Sequence, residues 1–464
     1  MATSLHELPV HALSSGIAAR RFSPVDVVEA HLVRIEKLEP RLKAFVHVHG
    51  AEARLAAEAA DKAIRSGHGI GPLHGIPIAL KDLVEFEGHH TAGGCAVWRD
   101  RISTYTATLA HKLLGAGMIV LGKTHTVEFA YGAWGTNQHM GTPWNPWDMK
   151  VQRTPGGSSA GSAVAVAARM APCALGTDTG GSVRIPAAWC GLTGLKTTIG
   201  RISTHGVLPL SPTLDTPGPI ARSVEDCAIM LVAMQGPDPL DPLTLALPPS
   251  DPFPTLRRGI KGLRLACMPP SERAMFDGEM LAAYDRSLTE LSGLGAEIVE
   301  LPGGGPSFRE NGDLVARIIS AEIYPIRADL VDDPSMALDE AVRARIAAGA
   351  SISARQYRDV LAQRERAKRD FALRIEGVDA VLTPSTMTAA LPLTDIDQGT
   401  TPALSTRWVN FLDLCALSLP NGMTPGGLPA SLQIVCRGGD EALALRIGWA
   451  LEQATDWQKR APKL

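Results

Sequence analysis

The chain has 464 residues, 45% of them hydrophobic and 20% charged, a composition typical of folded proteins that excludes a mainly disordered chain. Lys and Arg together number 45 and Asp and Glu 48, which gives a net charge of −3. Because there is no basic excess to attract phosphates or acidic lipids, we expect neither a nucleic-acid partner nor a membrane partner.

Residues 1–70 are predicted to form helices. Ser23 is a candidate N-cap and Pro24 a candidate first helical residue. Apolar residues follow them at helical spacing: Val27, Val28, Ala30, Leu32, Ile35 and Leu38. An Ala-rich segment at 51–65 predicts a second helix.

Between residues 71 and 236, short apolar runs alternate with helical patterns. Strands are predicted at 76–80, at 118–122 and near 173–176. Helices are predicted at 106–117, near 159–170 and from about Ser182 onward. This alternation is typical of βαβ units, and it predicts an α/β fold with a sheet sandwiched by helices.

The second half of the chain returns to that core after two other segments. Residues 237–256 are rich in proline and predict an exposed connector without a regular element. Residues 307–375 have helical periodicity and dense Arg and Glu, and they predict a helical cap with solvated charged faces. A strand at 378–384 opens the return to the core over 376–464. We expect one domain over 1–464, with 71–236 as its catalytic part.

Two glycine-serine turns carry the most informative pattern, GGSS at 156–159 and GGS at 180–182. Adjacent glycines can direct several backbone N–H groups into one concavity, which suits an oxyanion. Ser182 closes the second turn at a predicted helix start, and Thr179, Gly180 and Gly181 offer N–H groups beside its hydroxyl. The pattern indicates a serine nucleophile with an oxyanion hole.

A serine nucleophile needs a base within hydrogen-bond reach. Lys81 directly follows the apolar run IPIAL, and a lysine that enters a closed pocket from a buried strand can have its pKa lowered enough to act as a neutral base. Lys123 in VLGKTH has a similar setting. Position alone leaves both lysines as candidates, beside the alternative of an ordinary surface lysine.

Several segments resemble the amidase signature family. GGSSAGSAVAVAARMAPCALGTDTGGSVRIPAAWCGLTGLKTTIGR is similar to the signature itself, and HGIPIALKDL to the family's lysine motif. GKTHTVEFAYGAWGTNQHMGTPWNPWD and the C-terminal GGLPASLQIVCRGGDEALALRIGWALEQ follow in the family's usual order. The resemblance spans nearly the whole chain and is weakest over 240–375. It implies the amidase signature fold, with a mixed sheet between helices and a helical cap.

The resemblance implies a Ser, cis-Ser, Lys triad. Ser182 matches the acylated nucleophile, and Ser158 matches the bridging serine after a cis peptide. Lys81 matches the base, so the resemblance favours Lys81 over Lys123 for that role. The oxyanion hole carries over to the N–H groups of Thr179, Gly180, Gly181 and Ser182. We also expect Asp178 and Arg184 to form a buried pair that fixes this loop, and Tyr131 and Trp134 to be weaker candidates for substrate contact, with core packing as the alternative for each.

The triad implies hydrolysis of a small-molecule carboxamide to an acid and ammonia or an amine, without a metal or organic cofactor. None of the 13 histidines has H-E-x-x-H spacing.

The seven widely spaced cysteines contain no C-x-x-C pair, which excludes a disulfide framework and favours a reducing compartment. The first residues, MATSLHELPVHALSSG, do not resemble a secretory signal. We expect a cytoplasmic enzyme whose partner is its small-molecule substrate, with a homodimer as the family-level expectation.

Two alternatives stay open. The chain could be the A subunit of a tRNA-dependent amidotransferase, which draws ammonia from glutamine and needs partner subunits. Against this, 307–375 does not resemble that subunit's glutamine-binding portion, and no basic patch is visible. A catalytically silent binding protein on the same fold is the other alternative, which the intact Lys81, Ser158 and Ser182 oppose. The identity of the amide is not encoded in a legible motif.

Overall fold

Eleven strands form one mixed sheet in the computed structural model, which describes residues 4–464. The strands are β1 Phe45–Val48, β2 Pro77–Lys81, β3 Ile119–Thr124, β4 Cys173–Asp178, β5 Thr193–Lys196, β6 Thr216–Ala221, β7 Arg264–Ala266, β8 Glu297–Val299, β9 Ala380–Pro384, β10 Cys415–Met423 and β11 Pro429–Cys436. Their spatial order is β1-β3-β2-β4-β6-β5-β10-β11-β9-β7-β8. Every residue of β2 to β6 is buried, so helices cover both faces of this part of the sheet.

Fourteen α-helices surround the sheet within the described residues. They are α1 Val10–Ala18, α2 Pro24–Leu42, α3 Gly50–Arg65, α4 Thr108–Gly115, α5 Ala160–Ala167, α6 Arg184–Trp189, α7 Val224–Met234, α8 Phe253–Leu256, α9 Gly278–Gly293, α10 Phe308–Val331, α11 Glu340–Ala347, α12 Ala354–Arg374, α13 Leu404–Phe411 and α14 Glu441–Thr455. The architecture confirms the α/β class predicted from the alternation of strands and helices.

The predicted helix start at Ser23 is confirmed. The Ser23 hydroxyl accepts a hydrogen bond from the Asp26 N–H, and the Asp26 carboxylate accepts one from the Ser23 N–H, which forms a capping box before α2. The parallel unit β2-α4-β3 is also as predicted. In this arrangement β2 delivers Lys81 and β4 delivers Asp178 to the same region, because both strands run parallel and pair directly.

The proline-rich stretch 237–256 differs from its prediction. It holds one turn of 3-10 helix at Pro242–Leu245 and the four-residue helix α8. Proline is tolerated in the first turn of a helix, where its missing N–H would have no partner in any case. Asp238 in this stretch is buried and accepts a hydrogen bond from the Ser203 hydroxyl at 2.5 Å, so part of the stretch packs against the core.

Helices α10 to α12 occupy the segment predicted as a helical cap, and α10 packs against α13. The expectation that charged residues of this segment lie on solvated faces holds only in part. Arg364 is buried and donates to the Phe411 carbonyl at 2.8 Å, and Arg345 is half-buried. Charge periodicity does not distinguish a solvated arginine from one that binds buried carbonyl oxygens. Among residues 4–464, no helix is long and apolar enough to cross a membrane.

Candidate active site

Lys81, the last residue of β2, lies at the centre of a buried polar cluster. Its Nζ donates to Ser158 Oγ at 2.8 Å and to Thr177 Oγ1 at 2.7 Å. Burial lowers the pKa of Lys81 to about 7, although the charges of Asp215 and Asp178 act in the opposite direction. The amine is therefore partly neutral near neutral pH, as a general base requires.

Ser158 sits in the first glycine-serine turn, on a loop that requires glycine before it. A Cβ at Gly157 would lie 2.7 Å from the Gly135 nitrogen, so a larger residue does not fit there. The peptide bond between Gly157 and Ser158 is cis, the arrangement that the resemblance implied. The Ser158 carbonyl accepts hydrogen bonds from the Val127 N–H and the Thr126 hydroxyl. These contacts fix the loop beside Lys81.

Ser182 lies in the turn between β4 and α6. The Ser159 N–H donates to the Ser182 carbonyl at 3.3 Å, which brings the two glycine-serine turns together. Thr406 on α13 supports the same turn, because its hydroxyl donates to the Gly180 carbonyl at 2.7 Å. Ser182 is only 7% exposed and lines a cavity. The structure therefore brings Lys81, Ser158 and Ser182 into one site.

Asp178 and Arg184 form a fully buried ion pair under the Ser182 turn. Arg184 Nη2 lies 2.8 Å from Asp178 Oδ1, and its Nε lies 3.0 Å from Oδ2. The guanidinium also donates to Asn410 Oδ1 at 2.6 Å and to Gln433 Oε1 at 2.7 Å. Burial alone would raise the pKa of Asp178, but the charge and hydrogen bonds of Arg184 hold it well below its ordinary value. The pair anchors the turn to the second half of the chain.

The expectation that the Gly181 N–H is an oxyanion donor is wrong. The Gly181 N–H donates to Asp178 Oδ1 at 2.8 Å, because the turn folds back over that carboxylate. It is therefore not free to bind an oxyanion. Within residues 4–464, the N–H groups of Thr179, Gly180 and Ser182 make no such hydrogen bond, and they stay candidates for this role.

Lys123 occupies a separate buried site. Its Nζ lies 3.2 Å from Asp82 Oδ1 and donates to the Val84 carbonyl and the Thr91 hydroxyl, each at 2.7 Å. The structure does not bring it to Ser158 or Ser182. These contacts favour a structural role for Lys123, as the motif comparison indicated.

Tyr131 and Trp134, the weaker substrate-contact candidates, line the same cavity as Ser182. Each also has a packing contact that fixes it: the Tyr131 hydroxyl pairs with Ser320 Oγ at 2.7 Å, and the Trp134 ring stacks on Trp189. Both roles are compatible with their positions.

Sequence reasoning missed four groups around the site. Thr177 contacts Lys81, Asp215 accepts a hydrogen bond from the Thr179 hydroxyl, and the guanidinium-bearing residues Arg345 and Arg407 line the Ser182 cavity. Burial raises the pKa of Asp215 to about 6. Arg345 belongs to a charged helical run and Arg407 to a helix with no other charged residue, so neither had a local signal. Within residues 4–464, no group of three or more metal-ligating side chains occurs.

Known proteins resemble this chain along nearly its whole length. A family model described as Amidase matches residues 26–445. The A subunit of glutamyl-tRNA(Gln) amidotransferase from Geobacter sulfurreducens is 37% identical over 486 aligned positions that cover 99% of this chain and 100% of the relative.

Two solved structures share the fold. One is a chain of a vestigial protein complex that reveals the evolutionary origins of an s-triazine catabolic enzyme. It has a TM-score of 0.90 and 31% identity, and the match covers 96% of this chain and 98% of that chain. Native peptide amidase from Stenotrophomonas maltophilia has a TM-score of 0.85 and 30% identity, and covers 98% of both chains. These similarities confirm the predicted fold and an enzyme that acts on amide C–N bonds.

The relatives overturn the expectation about partners. The balanced charge predicted no nucleic-acid partner, and the family resemblance implied a small-molecule amide as the partner. Proteins similar over their whole length are instead named as the A subunit of glutamyl-tRNA(Gln) amidotransferase. Net charge was a poor guide, because a chain of an assembly needs no basic surface of its own when other chains can provide it.

Proposed function

This chain belongs to the amidase signature family of enzymes, and we propose that it cleaves a carboxamide through an acyl-enzyme on Ser182. The observation that carries the proposal is the 2.8 Å hydrogen bond from Lys81 Nζ to Ser158 Oγ. Burial lowers the pKa of this amine to about 7. The hydrogen bond connects the amine to the loop that contacts the Ser182 turn. A base poised near neutral pH is what activation of a serine hydroxyl requires.

The proposed first step is a proton relay. Neutral Lys81 accepts a proton from Ser158, and Ser158 accepts one from Ser182 as Ser182 Oγ attacks the amide carbonyl carbon. Among the described residues no hydrogen bond joins the two serine hydroxyls, so the relay requires them to approach each other when substrate binds.

The attack places negative charge on the former carbonyl oxygen. The free N–H groups of Thr179, Gly180 and Ser182 are proposed to stabilise it, with the turn held by Asp178 and Arg184. The relay then runs backwards and protonates the departing nitrogen as the C–N bond breaks. Water next attacks the Ser182 ester and gives a carboxylic acid. The balance is one amide and one water converted to one acid and one ammonia or amine.

For the biological setting we propose the role of the A subunit of an amidotransferase, in which released ammonia is passed on within an assembly. Supporting this role, relatives named as the A subunit of glutamyl-tRNA(Gln) amidotransferase are 36–37% identical along essentially the whole of both chains. We further propose that residues 1–464 act as one amidase domain in the cytoplasm, where the seven cysteines, all unpaired here, would stay reduced.

A free-standing amidase that hydrolyses a small-molecule carboxamide is the second candidate. It is supported by the similarity to a peptide amidase at a TM-score of 0.85 with 98% coverage of both chains. The chemistry at Ser182 is the same in both candidates. They differ in where the ammonia goes and in the need for partner chains.

One experiment separates the two candidates. An extract of the native host is depleted of this chain and supplied with wild type or with Ser182→Ala, and the conversion of glutamyl-tRNA to glutaminyl-tRNA is followed by mass spectrometry. Restoration by the wild type alone would support the role in an assembly. Full conversion in the depleted extract, together with amide hydrolysis by the purified wild type alone, would support the free-standing amidase.

A further inference from the structure

A second cavity, of about 120 Å³, lies next to the proposed catalytic groups. Its walls include Thr177, whose hydroxyl accepts a hydrogen bond from Lys81 Nζ at 2.7 Å, and Thr179, whose N–H is a candidate oxyanion donor. Asp215 is the one charged residue among the described residues that line this cavity, and most of the other walls are apolar. In such surroundings the charge of a carboxylate is weakly screened, so it acts strongly on a nearby buried amine.

Both oxygens of the Asp215 carboxylate accept hydrogen bonds. Oδ1 accepts one from the Thr179 hydroxyl, and Oδ2 accepts one from each of the Leu210 and Ser211 N–H groups, both at 2.9 Å. All three donors are neutral, so they fix the carboxylate without cancelling its charge. Asp215 therefore ties Thr179 to a loop that is itself held in place.

The loop that carries Asp215 is fixed from its other side by Glu322 on α10. The Glu322 carboxylate accepts hydrogen bonds from the Ser211 hydroxyl at 2.5 Å, from the Thr213 N–H at 3.2 Å and from the Thr213 hydroxyl. The Tyr357 hydroxyl on α12 donates to the same carboxylate at 2.5 Å. Two helices of the cap therefore hold the loop on which Asp215 lies.

We propose that Asp215 is a positioning residue of the amide-cleaving site, which orients Thr179 toward the oxyanion and keeps a fixed negative charge near Lys81. The inference rests on the proposed function and adds a residue to that site. A donor that is held before the reaction stabilises the oxyanion without having to reorient as the charge develops. The role is the same for an amidotransferase subunit and for a free-standing amidase, because the chemistry at Ser182 is the same in both.

The charge of Asp215 opposes the effect of burial on Lys81. Burial lowers the pKa of Lys81 to about 7, while the negative charges of Asp215 and Asp178 act to raise it. Asp178 is paired with Arg184, whereas the hydrogen-bond donors to Asp215 among the described residues are all neutral. Burial raises the pKa of Asp215 itself to about 6, and the charge of Glu322 acts in the same direction. Removing the charge of Asp215 should therefore lower the pKa of Lys81.

Two substitutions separate the charge of Asp215 from its anchoring role. Asp215→Asn removes the charge, but its amide still offers an oxygen to the two main-chain N–H groups and an N–H to the Thr179 hydroxyl. Asp215→Ala removes the charge and the hydrogen bonds. Asp238→Asn is the matched control, because Asp238 is also buried and accepts hydrogen bonds from the Ser203 hydroxyl and the Leu240 N–H in another loop.

The measurement is the rate at which a fluorophosphonate labels Ser182, followed by mass spectrometry across a pH range that brackets the pKa of Lys81. The full-length chain is used, with any chain that co-purifies with it. In Asp215→Asn the fall on the acid side of the profile should move to lower pH by about half a unit or more. Asp215→Ala should label about tenfold to hundredfold more slowly at pH 8, because Thr179 loses its anchor. Asp238→Asn should keep the midpoint of the wild type.

A third variant tests the contact with Thr179 alone. Thr179→Val removes the hydroxyl and keeps the N–H and the charge of Asp215, so labelling should slow while the midpoint of the profile stays unchanged. Adding Asp215→Ala to Thr179→Val should slow labelling by less than it does in the wild type, because the anchor is already lost. Fully additive losses would contradict the anchoring role.

The remaining outcomes separate this inference from the proposed function. An unchanged midpoint in Asp215→Asn, or an equal displacement in Asp238→Asn, rejects the electrostatic role of Asp215. Labelling of Asp215→Ala as fast as the wild type rejects the positioning role. In each of these cases labelling of Ser182 in the wild type leaves the proposed function standing. Absence of labelling at Ser182 in the wild type rejects the proposed function itself, and the role of Asp215 with it.

Discussion

Replacing Lys81 by methionine separates the chemistry of the amine from its burial. Methionine keeps much of the length of the stem but removes the charge and the donors to Ser158 and Thr177. Burial lowers the pKa of Lys81 from the ordinary 10.5 to about 7. At pH 6 the folded protein must therefore hold a buried ammonium, whereas at pH 9 the amine is neutral.

The sign of the stability effect follows from proton binding. Between pH 7 and 10.5 the unfolded chain keeps the Lys81 proton that the folded chain has lost, so the wild type gains stability as pH rises through this range. Going from pH 9 down to pH 6 should cost the wild type about 3 kcal/mol of unfolding free energy from this group. Methionine does not titrate, so the variant has no such pH-dependent cost. Between pH 9 and pH 6 the unfolding free energy of Lys81→Met should therefore rise by about 3 kcal/mol relative to that of the wild type.

Urea unfolding at pH 6 and pH 9 measures this shift, with the exposed Lys37→Met as the matched control. In the same proteins kcat/KM is measured against pH. The wild type should lose activity below a midpoint near 7, and Lys81→Met should lose about 10²- to 10⁴-fold of the activity at pH 8. A stability difference that does not change with pH, together with the same acid limb in the variant, would refute the assignment of Lys81 as the base.

Three further changes test other parts of the site. Asp178→Asn leaves the buried Arg184 without its carboxylate, and urea unfolding should show a loss of about 3–5 kcal/mol; an unchanged midpoint would contradict the anchoring role. Lys123→Met should destabilise the fold, because it removes the partner of the buried Asp82. The fall of kcat/KM on the acid side of the pH profile should keep its midpoint near pH 7. A displaced midpoint would indicate that Lys123, and not Lys81, is the group that titrates there. Ser158→Ala should lower kcat by about 10²- to 10⁴-fold, and adding Lys81→Met should cost little more, because the two groups act together; fully additive losses would contradict the relay.

Local sequence rules were sufficient where one short segment determines the structure. Ser23 and Pro24 start α2 as their types predict, and the apolar run before Lys81 forms a buried strand. The parallel pairing of β2 with β4 also follows from the α/β pattern. These features depend on periodicity and capping, which are encoded within about a dozen residues.

Features that depend on distant parts of the chain could not be predicted from local sequence. The Gly181 N–H is withdrawn from the oxyanion site by Asp178, and that carboxylate is itself oriented by Arg184. Arg345 and Arg407 reach the Ser182 cavity from helices more than 150 positions later in the sequence. A charged residue on a helix has the same pattern whether it faces water or a substrate cavity, so only the packed structure distinguishes the two.

The most direct test of the proposed chemistry maps the site of acylation. The wild type is mixed with a fluorophosphonate or rapidly quenched with an amide substrate, digested, and examined by mass spectrometry, with Ser182→Ala and Ser158→Ala treated in parallel. We expect the added mass on the peptide that contains Ser182, slower labelling in Ser158→Ala and none in Ser182→Ala. An adduct on Ser158 or on another residue, or undiminished labelling of Ser182→Ala, would contradict the central claim that Ser182 is the nucleophile.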